Sequence, residues 1–146
     1  MNLLLIKQIQ KAIEPLPYIN AGGCGVFAYE VIKKYGGQAW MVWDRELHDD
    51  DKVLDFEEGP SHVFVEWKGV AAFDAYSTEE SVGKYFWTYY ETFTYVDWET
   101  GEEVQANDYG LVSLSFNDLQ QMIETPELWS RDFNRVSDLC TIIQNL

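Results

Sequence analysis

The chain has 146 residues, 47% hydrophobic and 16% aromatic, enough for one buried core and too aromatic for a disordered segment. Its 25 acidic residues against 10 basic ones give a net charge of -15. That field repels nucleic acid and anionic membranes and favours basic partners.

The N-terminal run Met1 to Ile6 is short, has no basic leader and continues into Lys7-Gln8, so neither a signal peptide nor a spanning helix is expected. Cys24 and Cys140 are then expected as reduced thiols of a cytoplasmic protein; a disulfide between them would need another export route. Leu5, Ile6, Ile9, Ala12, Ile13 and Leu16 recur at helical spacing, and Pro15 and Pro17 end that helix. After a turn over Tyr18 to Gly23, a second helix is predicted from Cys24 to Tyr35, stopped by Gly36-Gly37. Gln38 to Trp43 reads as a strand. Asp44 to Pro60 is a long acidic connection without periodicity, a pattern often functional or mobile.

His62 to Trp67 and Val70 to Asp74 read as a hairpin with a two-residue turn at Lys68-Gly69. Ser77 to Glu80 matches a capping box. The aromatic and Thr-rich stretch Tyr85 to Trp98 favours a long strand instead, with a second hairpin over Thr100-Gly101 into Val104. Tyr109 to Ser115 is a further strand. Helices are predicted over Asn117 to Glu124 and over Pro126 to Asn145, the latter opened by Thr125 and an N1 proline. The pattern is α+β in a single domain: N-terminal helices, a mostly antiparallel sheet, C-terminal helices.

Three residues along this pattern carry chemistry. Cys24 opens a helix, where unpaired amides and the helix dipole favour a negative sulfur and can lower a thiol pKa from about 8.5 to about 3.5–7.5. The flanking Gly22, Gly23 and Gly25 allow close approach of a substrate backbone and leave amides for an oxyanion. A small buried cysteine packing a helix start is the plainer alternative. His62 opens a strand, with Val63 and Val65 facing away from it. Asp74 closes the next strand and can hold the imidazole tautomer; each is otherwise an ordinary edge histidine or turn aspartate. Their order supplies a nucleophile, a base and an orienting group.

Gly-Gly-Cys24-Gly-Val-Phe-Ala on a helix, followed by His62 and Asp74 on successive strands, resembles the papain-like and transglutaminase-like superfamily of cysteine enzymes. The resemblance covers about Tyr18 to Ser77 and rests on layout. It implies a papain-like or transglutaminase-like core, with Cys24 as nucleophile, His62 as general base and acid, and Asp74 as orienting group. The papain branch has a Gln shortly before its Cys; here Asn20 is the nearest amide donor, and with the Gly25 amide it is the candidate for the oxyanion site. The papain-type Trp near the Cys is missing, and the aromatic in this helix is Phe27.

Other features are less specific. His48-Asp49-Asp50-Asp51 lacks the glycine hinge and closing Glu of a calcium loop, and two Cys and two His at scattered positions do not make a zinc site, so no metal is expected. Phosphate-binding glycine strings are absent, so no cofactor is expected either. In the stretch from Tyr85, alternate rings would face the core, leaving Phe86, Tyr90 and Trp98 to need cover. A second acidic cluster, Asp97, Glu99, Glu102, Glu103 and Asp108, reads as a solvated hairpin tip or as part of a docking surface.

Two functions compete. One is a small cysteine enzyme running acyl transfer through a thioester at Cys24 on a protein or peptide substrate: amide or isopeptide hydrolysis, deamidation, or transfer to an amine. The other is a non-enzymatic acidic protein, on an inactive enzyme fold or otherwise, that occupies a basic nucleic-acid-binding surface of a partner protein. Neither binds nucleic acid or membrane directly.

Overall fold

Asn2 starts the first helix, α1 (Leu3–Ile13): its Oδ1 accepts the Leu5 amide at 2.9 Å. Ile6, Ile9 and Ile13 form the buried stripe of α1. The computed structural model describes residues 1–17, 19, 23–44, 62–88, 94–96, 98–105, 109–124 and 133–146. The acidic connection after Asp44, with His48, lies outside these residues.

The second helix, α2 (Cys24–Tyr35), stops at Gly36, where φ is +87°. It is followed by β1 (Gln38–Asp44), β2 (His62–Trp67), β3 (Ala71–Phe73) and β4 (Thr78–Glu79). A short helix, α3 (Val82–Phe86), precedes β5 (Thr94–Val96), β6 (Glu103–Gln105) and β7 (Tyr109–Leu114). The chain ends in α4 (Phe116–Ile123) and α5 (Phe133–Gln144). The architecture is α+β, with helices at both ends of the chain and a five-stranded antiparallel sheet in the order β4-β3-β2-β1-β7. Strands β5 and β6 form a separate antiparallel pair, joined across Gly101 as the turn residues predict.

The side-chain period of two divides the sheet between two clusters. Met41, Val63, Val65, Trp67 and Phe73 join the helices in the main core, while Val42, Phe64, Ala72 and Tyr85 form a smaller cluster on the opposite face. Near the start of α2, the Phe27 ring meets Phe73 edge-on at 6.2 Å. Near its end, Tyr35 meets Trp67 at 6.0 Å and Trp67 Nε1 donates to the Gly36 carbonyl at 2.9 Å. Helix α2 and strand β2 therefore run in the same direction. Their first residues, Cys24 and His62, fall at the same end.

Three sequence expectations need correction. The connection between β2 and β3 is three residues long, with Val70 donating to the Trp67 carbonyl at 2.9 Å and Gly69 at φ +76°. The stretch from Ser77, expected as a brief turn before a long strand, holds a short strand and then a helix: Thr78 and Glu79 pair with β3, and Ser81 Oγ caps α3, accepting from Lys84 at 3.1 Å. Tyr85 and Phe86 accordingly lie in α3 rather than in a long strand, and among the described residues of the predicted strand Thr94–Val96 is extended. Residues 89–93 of that stretch, and 125–132 of the predicted last helix, lie outside the described residues. Trp87, expected on the core-facing side of the predicted strand, is exposed; of the rings expected to need cover, Trp98 is completely exposed and Phe86 packs against the smaller cluster.

Candidate active site

Cys24 is the first residue of α2 and is 4% exposed. Gly23 immediately before it donates to the Ile19 carbonyl at 2.6 Å, and a Cβ on Gly23 would lie 2.8 Å from that oxygen. The chain itself therefore requires glycine there, independently of any substrate. Gly23 has no side chain with which to cap the helix. The amides of Cys24, Gly25 and Val26 have no intrahelical acceptor, as in the first turn of any α-helix. Asn20 lies outside the described residues.

His62 and Asp74 meet across the β2–β3 hairpin. The register pairs Val65 with Phe73, so Asp74, one residue past β3, comes beside the start of β2. His62 Nε2 lies 3.1 Å from Asp74 Oδ2, with His62 7% and Asp74 1% exposed. The Cys24 side chain lies close enough to the same imidazole to help hold its proton. The structure thus brings together all three residues singled out by the sequence, with His62 between the sulfur and the carboxylate.

A fourth group, Tyr85, was not anticipated. Its hydroxyl donates to Asp74 Oδ2 and lies 2.9 Å from His62 Nε2, and its ring stacks on Phe64 with centroids 4.2 Å apart. Ser81, as the N-cap, and Tyr85, on the buried face of α3, were the signals available. The surrounding Thr, Trp and Tyr residues masked them by favouring a strand.

Every acceptor position of Asp74 is used. Oδ1 accepts the backbone amides of Tyr76 at 2.8 Å and Ser77 at 2.9 Å, while Oδ2 faces His62 and Tyr85. A carboxylate offers about four such positions. Burial by itself would raise the Asp74 pKa; hydrogen bonds from His62 and Tyr85, the imidazolium charge and the Tyr76 amide outweigh it and hold the carboxyl below its usual 3.8. Burial likewise works against a charged His62. Hydrogen bonds to Asp74 and Cys24, with the electrostatic pull of both, prevail and push His62 from 6.5 to about 9.

Cys140 has a different environment. It is half-buried, and burial, then the charge and hydrogen bonding of Glu30, push its thiol up to about 11. Among the described residues no group of three His, Cys, Asp or Glu side chains is placed to hold a metal ion, and no helix is long and apolar enough to cross a membrane. Comparison with protein-family models, curated proteins and solved structures finds no match for this chain.

Proposed function

We propose that the chain is a cysteine-dependent acyl-transfer enzyme with a papain-like or transglutaminase-like core, forming a thioester at Cys24. The observation that carries this reading is His62, paired with a buried, fully coordinated Asp74 and close to Cys24 on its other side. A base held between a nucleophile and an orienting carboxylate is the arrangement covalent acyl transfer needs.

In the proposed reaction, the imidazole takes the Cys24 proton and the sulfur attacks the carbonyl carbon of an amide. The carbonyl π electrons move onto oxygen, and the resulting oxyanion is met by first-turn amides of α2, that of Gly25 among them. As the oxyanion collapses, the C–N bond breaks. The imidazolium gives its proton to the leaving nitrogen, and the acyl group remains on sulfur. Water or an amine then attacks the thioester, giving up a proton to His62, and the Cys24 sulfur recovers that proton as it leaves. Asp74 stays ionised throughout, holding the ring and stabilising its charged form.

The pH dependence of iodoacetamide labelling tests the pair. Limited access to Cys24 scales its rate equally at every pH, so the comparison is between wild type and His62→Ala. Near neutral pH the wild-type Cys24 rate is expected to exceed that of the variant by at least about tenfold, the gap narrowing toward pH 10, where an unassisted thiol ionises too. Cys140, its thiol pushed up to about 11, stays slow in both and serves as the internal control. Equal Cys24 rates in the two proteins across this range would overturn the proposal.

A further inference from the structure

The nucleophile and the orienting carboxylate come from segments fifty residues apart in sequence, and one side chain joins them. Tyr76 follows Asp74 in the turn that leaves β3, and its backbone amide donates to Asp74 Oδ1 at 2.8 Å. Its hydroxyl accepts the Ile19 amide at 2.7 Å and donates to the Leu16 carbonyl at 3.3 Å. The Ile19 carbonyl in turn accepts from Gly23, the residue before Cys24, at 2.6 Å. A continuous run of hydrogen bonds therefore leads from Asp74 through Tyr76 and Ile19 to the start of α2.

The Asp74 end of this run is fixed a second time. Gln10, on α1, donates through Nε2 to the Asp74 carbonyl at 3.0 Å, the Ser77 carbonyl at 3.1 Å and Thr78 Oγ1 at 3.1 Å. With the turn after β3 held by α1, the Tyr76 hydroxyl is a fixed post against which the approach to Cys24 is set. Gln10 and Tyr76 line an open groove of about 410 Å³ together with Lys7, Lys11, Glu14 and Ala75. Tyr76 is 48% exposed, so removing its hydroxyl leaves no sealed void.

We infer that Tyr76 is a positioning residue: its backbone amide holds Asp74 while its hydroxyl holds the turn that delivers Cys24 to His62. The inference rests on the Cys24–His62 pairing of the proposed function. In Tyr76→Phe the Asp74 side is unchanged, because the backbone amide remains. The Ile19 amide loses its acceptor, the segment before α2 relaxes, and Cys24 moves away from the imidazole.

The readout is the NMR titration of the His62 ring, assigned with His62→Ala because the chain has only two histidines. Among the described residues, the titratable groups facing that ring are Cys24, Asp74 and Tyr85. Cys24→Ala removes the sulfur's hydrogen bond and electrostatic pull and is expected to lower the titration midpoint by about one unit. Tyr76→Phe should lower it by at least about half as much, and should add nothing in the Cys24→Ala background. Tyr76→Leu, which loses the ring as well, should cost more stability in urea unfolding yet move His62 no further.

The two ideas fail in different ways. A midpoint unmoved by Cys24→Ala overturns the Cys24–His62 pair and the inference with it. If Cys24→Ala moves the midpoint while Tyr76→Phe leaves it at the wild-type value, Tyr76 is a structural tie only and the inference fails alone. A Tyr76→Phe shift that persists undiminished without Cys24 also overturns it, since the hydroxyl would then act on His62 by another path.

Discussion

At Asp74 the two carboxylate oxygens are not equivalent, and the difference determines what a one-atom change does. The Tyr76 and Ser77 amides both point at Oδ1. In Asp74→Asn they keep the amide oxygen at that position and turn the NH2 group toward His62 Nε2. Neutral His62 must then carry its proton on the other nitrogen, Nδ1. With Nε2 turned to Asp74 and Tyr85, Nδ1 is the ring nitrogen left for the sulfur, and in this variant it can no longer accept the Cys24 proton. Labelling of Cys24 in Asp74→Asn is therefore expected to fall to the His62→Ala level, and turnover, once a substrate is found, by about 10⁴. A labelling rate near wild type would contradict this orientation of the ring. The trio was legible in the sequence because its members sit at element boundaries: a helix start, a strand start and a strand end. Tyr85, Tyr76 and Gln10 were not. Two of these are among nine tyrosines, and all three act through partners that only the folded topology brings near.

At the scale of elements, α2 is placed by its ends. Tyr35 and Gly36 anchor one end against Trp67, and the turn ahead of Gly23 anchors the other. Gly23→Ala drives a methyl group against the Ile19 carbonyl, which Tyr76 holds in place through the Ile19 amide. A loss of roughly 1–3 kcal/mol in urea unfolding is expected, the range for forced overpacking, with slower Cys24 labelling. Gly83→Ala is the control: nothing lies within 4 Å of its added methyl group, and the position is inside α3. There, exchange of glycine for alanine should stabilise by about 0.5–1 kcal/mol. Equal effects at the two glycines would refute the close contact at Gly23. The sequence marked Gly22, Gly23 and Gly25 as a collar for substrate, whereas for Gly23 the nearest requirement is an internal one. The helical pattern predicted the α1 stripe closely because α1 buries one face, whereas β2, buried on both faces, was legible as an apolar β-forming run bounded by turn residues. Both kinds of signal failed from Thr78 to Phe86, where a two-residue strand and a five-residue helix are too short to show a period.

For the whole molecule, charge acts in two separable ways. The net charge of -15 includes described carboxylates that are exposed, Glu14, Glu80 and Glu99 among them, and repulsion between such groups is screened within about 10 Å at 0.1 M salt. His62 and Asp74 are buried and respond to pH rather than to salt. Folded His62 holds its proton up to about 9, against 6.5 in the unfolded chain, so its contribution is complete below about pH 6.5 and is lost as pH rises through 9. Asp74, with its pKa lowered, contributes above the ordinary carboxyl range and loses that contribution as pH falls through its folded value. Cys140, pushed up to about 11, adds a further loss that begins only above about pH 8.5. Between pH 6.5 and 8.5 the His62 slope therefore stands apart from both. Urea unfolding across that window should show the stability of Cys24→Ala, whose His62 takes its proton from solvent and not from the sulfur, falling with pH by a few kcal/mol at most. Adding His62→Ala to that variant should give a nearly flat line. Raising NaCl from 0.05 to about 0.5 M should lift both curves by screening the surface without removing the Cys24→Ala slope. A slope that disappears in salt would move its origin from the buried pair to the acidic surface, and a slope that survives the addition of His62→Ala would take it away from the imidazole.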